Sequence, residues 1–169
     1  MTASLLDDAF AHHTWATIRL IDECASLTPE QLETPAPGTY GSIIDMLRHL
    51  VRADTWYLTF FRNEPATMDD GAEMTLSELR SRMESNAAAW AEVLAGGLDP
   101  DADTIDLEDG WEFHSSVGLR LAQVTHHGTD HRSQICTALT TLGVTPPEID
   151  LWVFGEATRR TRAVRAPTP

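Results

Sequence analysis

The sequence predicts an all-α protein organised as a four-helix bundle, and two observations lead to this fold class. Apolar residues recur at spacings of three and four along four long segments, which is the period of an amphipathic helix. Short connections containing Pro and Gly separate the segments, so consecutive helices can pack side by side. The 169 residues suffice for one core. We predict a single domain over residues 1–162 and a disordered tail over residues 163–169.

The first long helix is predicted from about Leu5 to Ser26, where the apolar stripe includes His13. A short helical turn is expected next, because Thr28 can cap it and Pro29 suits the first helical position. A loop then follows, since Pro35, Pro37 and Gly38 interrupt any helical pattern.

The second long helix is predicted from about Ser42 to Asn63. Two neighbouring apolar stripes give it a wide buried face. Only two polar residues interrupt those stripes, His49 and Asp54, and Trp56 follows His49 by seven residues on the same stripe. The acidic stretch Glu64–Met74 contains a proline and a glycine, so we predict a loop there.

The third long helix is predicted from Leu76 to about Ala95. It should begin with a capping box, in which the Thr75 hydroxyl and the Glu78 carboxylate each accept a backbone N–H. Gly96 and Gly97 are expected to end it.

A small hairpin or irregular insertion is predicted before the fourth long helix. Two alternating runs flank Asp109-Gly110, and Asp-Gly between such runs is typical of a β-hairpin. The fourth helix is predicted from about Val117 to Leu142, with Gly143 just past its end. A last short element is expected from Glu148 to about Arg162.

The composition argues against several classes of partner. The chain has 26 acidic and 12 basic residues, a net charge of −14 at pH 7. Nucleic acids and anionic membranes would be repelled, so we expect neither as a partner. No run reaches the roughly 18 apolar residues of a transmembrane helix, and the first residues do not form a signal peptide. Two cysteines in apolar helical patterns provide no disulfide framework, which favours the cytoplasm.

A histidine-rich run in the fourth helix is the main functional signal. His127 and His131 are four residues apart, which places both imidazoles on one face of a helix. His49 lies on the inward face of the second helix, so it is the candidate third ligand. Three imidazoles suit zinc, nickel, copper or iron, and three protein ligands leave the open position of a catalytic zinc site. His126 points about 100° away and is interpreted as a non-ligand.

Several neighbours are candidates for supporting roles. Asp54 is either the hydrogen-bond acceptor of a metal-binding imidazole, a paired carboxylate, or a charge on the helix face. Arg132 is a candidate anchor for a carboxylate or for a structural acidic group, and Trp56 and His13 are candidate substrate contacts. Gly128 lies in mid-helix, where glycine is unfavourable by about 1 kcal/mol, so we expect a close approach of the helices around the metal there.

The motif His-Gly-Thr-Asp-His-Arg-Ser-Gln at 127–134, together with His49, resembles the DinB/YfiT-like family of metalloenzymes. The usual family motif reads His-Gly-Thr-His-His-Arg-Gly-Gln, so Asp130 and Ser133 depart from it. Neither of these two is a usual ligand, because the three ligands of the family map to His49, His127 and His131. The resemblance implies an up-down-down-up four-helix bundle, a bound divalent metal and a homodimer.

Some relatives in this family are S-transferases and isomerases that use mycothiol or bacillithiol. By analogy, we expect a divalent-metal-dependent enzyme, with zinc as the preferred ion and nickel or iron as alternatives. It would transfer a low-molecular-weight thiol to a small electrophile. Two alternatives remain open at this point, a metal-dependent hydrolase and a non-catalytic metal-binding protein of a stress response.

Overall fold

A computed structural model describes residues 6–35, 37–62 and 74–166, and these residues form a mostly helical fold. Within these ranges there are six helices and one two-stranded sheet. In chain order the elements are α1 (Asp7–Cys24), α2 (Pro29–Leu32), α3 (Ile43–Arg62), α4 (Leu76–Ala95), β1 (Asp103–Glu108), β2 (Trp111–Ser116), α5 (Val117–Thr141) and α6 (Leu151–Ala157). The predicted helical class and the small hairpin before the last long helix are confirmed.

Capping explains most of the helix boundaries. Thr75 and Glu78 form the expected capping box, and the Glu78 carboxylate accepts the Thr75 backbone N–H at 2.8 Å. Gly143, just past α5, has a φ of 76°, which is the left-handed conformation that ends many helices. The last element is shorter than predicted, since α6 begins after the Asp150 cap and is followed by Arg159 with a φ of 60°.

Some parts of the sequence prediction lie outside the described residues. They are most of the expected loop, residues 63–73, and the end of the expected tail, residues 167–169. The predicted start of the first helix at Leu5 is also outside, and α1 begins at Asp7.

The four long helices pack against one another in pairs. Both α1 and α3 contact α4 and α5. Their apolar faces form two buried clusters, and the larger includes Leu20 from α1, Met46 and Leu47 from α3, Met83 from α4, and Ile135 and Leu139 from α5. Because α3 and α5 are neighbours, their inward-facing histidines can meet. Among the described helices, none is long and apolar enough to cross a membrane.

The hairpin is attached to α5 through a buried arginine. Arg120 donates to the Thr104 hydroxyl at 2.7 Å and to the Ser115 hydroxyl at 2.8 Å, and these two residues are cross-strand partners. Its guanidinium carbon lies 3.7 Å from the ring centroid of Phe60 on α3, a cation–π contact. The hairpin is thereby held against the same pair of helices that carries the histidines.

Candidate metal centre

The structure brings His49, His127 and His131 together between α3 and α5. One ring nitrogen of each residue lies within 4.8 Å of the corresponding nitrogens of the other two. The Nε2 atoms of His49 and His127 are 3.0 Å apart, and the three ring centroids are 4.5 to 5.0 Å from one another. We call these three residues the histidine trio.

The donor chemistry of the histidine trio fits a transition-metal ion. Three neutral imidazoles are the protein ligands of one known class of catalytic zinc site, in which a further position remains for water or substrate. His131 is buried, whereas His49 and His127 are half-buried, so the trio is partly accessible to solvent. These three residues could therefore hold a metal ion.

Burial favours the metal-binding form of two members of the histidine trio, His49 and His127. Removal from water, and then the nearby His131 and His49, lower the pKa of His127 to about 4. The pKa of His49 is also lowered, first by burial and then by His131 and Arg52. Because an imidazole must be deprotonated to bind a metal, both residues are ready to bind at neutral pH.

We expect the metal-free protein to lose stability as the pH falls from about 6.5 to about 4. The unfolded chain protonates His127 near its ordinary pKa of 6.5, whereas the folded chain does so only near 4. The contribution of neutral His127 is therefore complete above pH 6.5 and declines below it. The titratable groups whose charges act on the pKa of His127 are those of His131, His49, His13 and Asp130.

Urea unfolding in the presence of a chelator, at several pH values, measures this effect. A His127→Asn variant is the control, because it lacks the titrating group and should show a shallower loss over the same pH range. If the free energy of unfolding decreased equally with pH in the two proteins, the assignment to His127 would be contradicted.

Two residues that the sequence interpretation missed lie against the trio. The Tyr40 ring centroid is 4.3 Å from that of His49 and 5.6 Å from that of His131. The Gln134 side-chain oxygen lies 3.2 Å from His131 Nδ1. Gln134 had a detectable signal, since it follows His131 by three residues on the same helix. Tyr40 is in a loop far from the motif, where no periodicity could identify it.

The hydrogen bonds described for Asp54 do not reach the histidine trio, in contrast to its predicted role as the acceptor of a metal-binding imidazole. Its carboxylate accepts three hydrogen bonds, from His13 Nε2 at 3.0 Å, from Trp90 Nε1 at 3.0 Å and from Asn86 Nδ2 at 2.8 Å. The side chains of Asp54 and His13 are almost fully buried. Asp54 therefore matches the alternative interpretation of a paired carboxylate, within the core.

Arg132, on α5, joins the buried hydrogen-bonded group around Asp54 through His13. Its Nη1 atom lies 3.0 Å from His13 Nδ1 and also donates to the Thr17 hydroxyl at 3.3 Å. A guanidinium can only donate hydrogen bonds, so His13 Nδ1 must be the acceptor. His13 Nε2 must then carry the hydrogen, and it donates a hydrogen bond to Asp54. His13 is thus a neutral bridge between a carboxylate and a guanidinium. We call His13, Asp54, Asn86, Trp90 and Arg132 the core network.

The core network changes the interpretation of three sequence predictions. His13 is only 1% exposed and is bonded within the core network, so it is not available as the predicted substrate contact. Arg132 has its pKa lowered to about 10 by burial, while Asp54 counteracts the shift. The close approach expected at Gly128 is present, but it involves His13 and Arg132, not the metal ligands. A Cβ at this position would overlap the His13 ring and lie 2.8 Å from Arg132 Nη1.

The remaining candidates lie at the margin of the site. Trp56 is half-buried, and its ring centroid is 5.0 Å from that of Tyr57, which in turn is 6.0 Å from that of His127. His126 is exposed and does not belong to the group of three.

Comparison with known proteins gives one family. A search among curated proteins found no match. The model of the DinB family matches residues 1–163, which is nearly the entire chain and includes all members of the histidine trio and the core network. The chain therefore belongs to the DinB family.

Proposed function

We propose that this protein is a divalent-metal-dependent enzyme that transfers a low-molecular-weight thiol to a small electrophile. The observation that carries the proposal is the convergence of three imidazole nitrogens within 4.8 Å. Zinc is the preferred ion, with nickel or iron as alternatives, because neutral imidazole suits all three. Membership of the DinB family supports the reaction class by analogy.

Each residue of the site has a distinct part in this proposal. His49, His127 and His131 would hold the ion. When bound, the ion supplies a positive charge that lowers the pKa of an adjacent thiol and so increases the fraction of nucleophilic thiolate. The Tyr40 ring covers His49 and is 58% exposed, so it can contact both the site and an incoming substrate. Trp56 packs next to Tyr57, which in turn lies near His127, and its proposed role is to contact the substrate.

The reactive thiol would have to come from outside the protein. Burial raises the pKa of the Cys24 thiol to about 12, and it also raises the pKa of Cys136. Both thiols are therefore protonated at neutral pH and are poor nucleophiles. This argument favours a small-molecule cosubstrate over a cysteine-based mechanism.

The proposal extends to architecture and setting. The pairing of α1 and α3 with α4 and α5 supports a four-helix bundle of the up-down-down-up type within one domain. The two free cysteines support a cytoplasmic location. A homodimer that acts on small molecules is proposed from the family alone.

The test is turnover by zinc-loaded protein with a panel of low-molecular-weight thiols and an aryl halide as the electrophile. We expect turnover that requires both zinc and thiol, and that disappears in a His49→Ala variant. His126→Ala is the matched control, since this exposed histidine lies outside the trio. Ester hydrolysis without thiol would indicate the hydrolase instead. Stoichiometric zinc without turnover on either panel would indicate a non-catalytic metal-binding protein.

A further inference from the structure

A backbone N–H in the loop before α3 determines how the Gln134 side chain is oriented. Tyr40 N lies 3.1 Å from the side-chain oxygen of Gln134. A backbone amide nitrogen can only donate, so the atom that faces it must be an acceptor. Rotating the Gln134 amide by 180° would place its NH2 group against another donor. The Tyr40 N–H therefore identifies the Gln134 side-chain atom that faces it as the oxygen.

The same oxygen determines the proton position on His131. His131 Nδ1 lies 3.2 Å from Gln134 Oε1. Since an amide oxygen has only lone pairs to offer, His131 Nδ1 must carry the hydrogen. His131 is neutral when it binds a metal, so its Nε2 atom then has the free lone pair.

We infer that Gln134 is a positioning residue that holds His131 in the Nδ1–H tautomer and the Tyr40 loop over the histidine trio. The Tyr40 loop comprises residues 37–42. A single amide oxygen accepts both hydrogen bonds, so the position of the loop and the tautomer of a metal ligand depend on one side chain. A metal-binding histidine typically donates its second N–H to such an acceptor, which fixes the ring and increases its basicity.

The geometry of the Tyr40 loop supports this role. Gly38 and Gly41 have φ values of 80° and 116°, which let the loop turn sharply before α3. Asp45 then anchors the end of the loop, because its carboxylate accepts from the Ser42 hydroxyl at 2.6 Å. Between these points the Tyr40 backbone reaches α5, and its ring lies over His49 and against His131.

The first test measures the tautomer directly in the metal-free protein. Nitrogen-15 NMR of histidine-labelled protein above pH 7 distinguishes protonated from unprotonated ring nitrogens. We expect His131 to be protonated at Nδ1 in the wild type. Observation of the Nε2–H tautomer there would overturn the inference without any variant.

The second test compares Gln134→Met, which has a similar size but no amide oxygen, with Gln134→Glu, which keeps an acceptor. We expect Gln134→Met to populate both tautomers, to lose the nuclear Overhauser contacts between the Tyr40 and His49 rings, and to bind zinc about 10- to 100-fold more weakly. Gln134→Glu should retain all three properties. Gln123→Met is the matched control, because Gln123 is an exposed glutamine on the same helix.

The zinc measurement rests on the proposed function, whereas the tautomer measurement does not. If wild-type protein binds no zinc but His131 is protonated at Nδ1, the proposed function fails and the inference stands. If Gln134→Met keeps the tautomer, the Tyr40 contacts and the zinc affinity of the wild type, the inference fails and the proposed function stands.

Discussion

Replacing His127 with alanine is expected to abolish stoichiometric zinc binding. The substitution removes one of three ligands, and two imidazoles alone leave half of a tetrahedral site without protein donors. We expect an affinity loss of more than about 100-fold, which exceeds the effect of losing a supporting hydrogen bond. Metal analysis after dialysis gives the zinc content, and zinc titration gives the affinity.

Thermal unfolding provides an independent measurement of the same loss. Zinc at about 1,000 times its dissociation constant would stabilise the wild-type fold by about 4 kcal/mol, an effect that a chelator reverses. His127→Ala should show almost no response to either reagent. His126→Ala is the neighbouring control and should behave as the wild type, since its side chain is exposed. Equal zinc content in the wild type and His127→Ala would contradict the proposed site.

Replacing Asp54 with alanine should produce the largest loss of stability. The substitution leaves the buried Arg132 guanidinium without a compensating negative charge, and it removes the acceptor of His13, Trp90 and Asn86. Removing one partner of a buried charge pair typically destabilises a protein by about 3–5 kcal/mol. We therefore expect a decrease of that size in the free energy of unfolding, measured by urea denaturation of the metal-free protein.

A matched variant separates this effect from a general loss of charge. Asp130→Ala also removes one aspartate, but Asp130 is exposed on α5, so the expected change is within about 0.5 kcal/mol. If Asp54→Ala unfolded at the same urea concentration as Asp130→Ala, the core network would not have the structural role assigned to it.

Most of the helical structure could be predicted from local signals. The 3.6-residue period located α1, α3, α4 and α5, and capping residues such as Thr75 and Gly143 placed several of their ends. The hairpin followed from Asp109-Gly110, whose φ values of 50° and 81° are those of a tight turn. These features depend on residues close together in the chain, so one sequence contains enough information.

Partner choice inside the core could not be predicted in the same way. The histidine trio was predicted because His127 and His131 share a helix face and His49 interrupts an apolar stripe. Asp54 bonds to His13, which is 41 residues away on another helix, and this pairing depends on the rotation of α1 and α3 about their axes. Tyr40 reaches α5 from a loop, 94 residues before its partner Gln134. Spacing within one helix does not encode such contacts.

Gly128 restricts which substitutions can be accepted at positions 13 and 132. Any side chain at position 128 would overlap the His13 ring, so a lineage that gains one must also replace His13, which would remove one of the acceptors of Arg132. Positions 13, 128 and 132 should therefore change together or not at all. The hydrogen bonds described for the histidine trio include none to His13 or Arg132, and the trio is coupled to His13 only through the effect of His13 on the pKa of His127. Exchange of the metal ligands would therefore leave the hydrogen bonds between positions 13 and 132 in place.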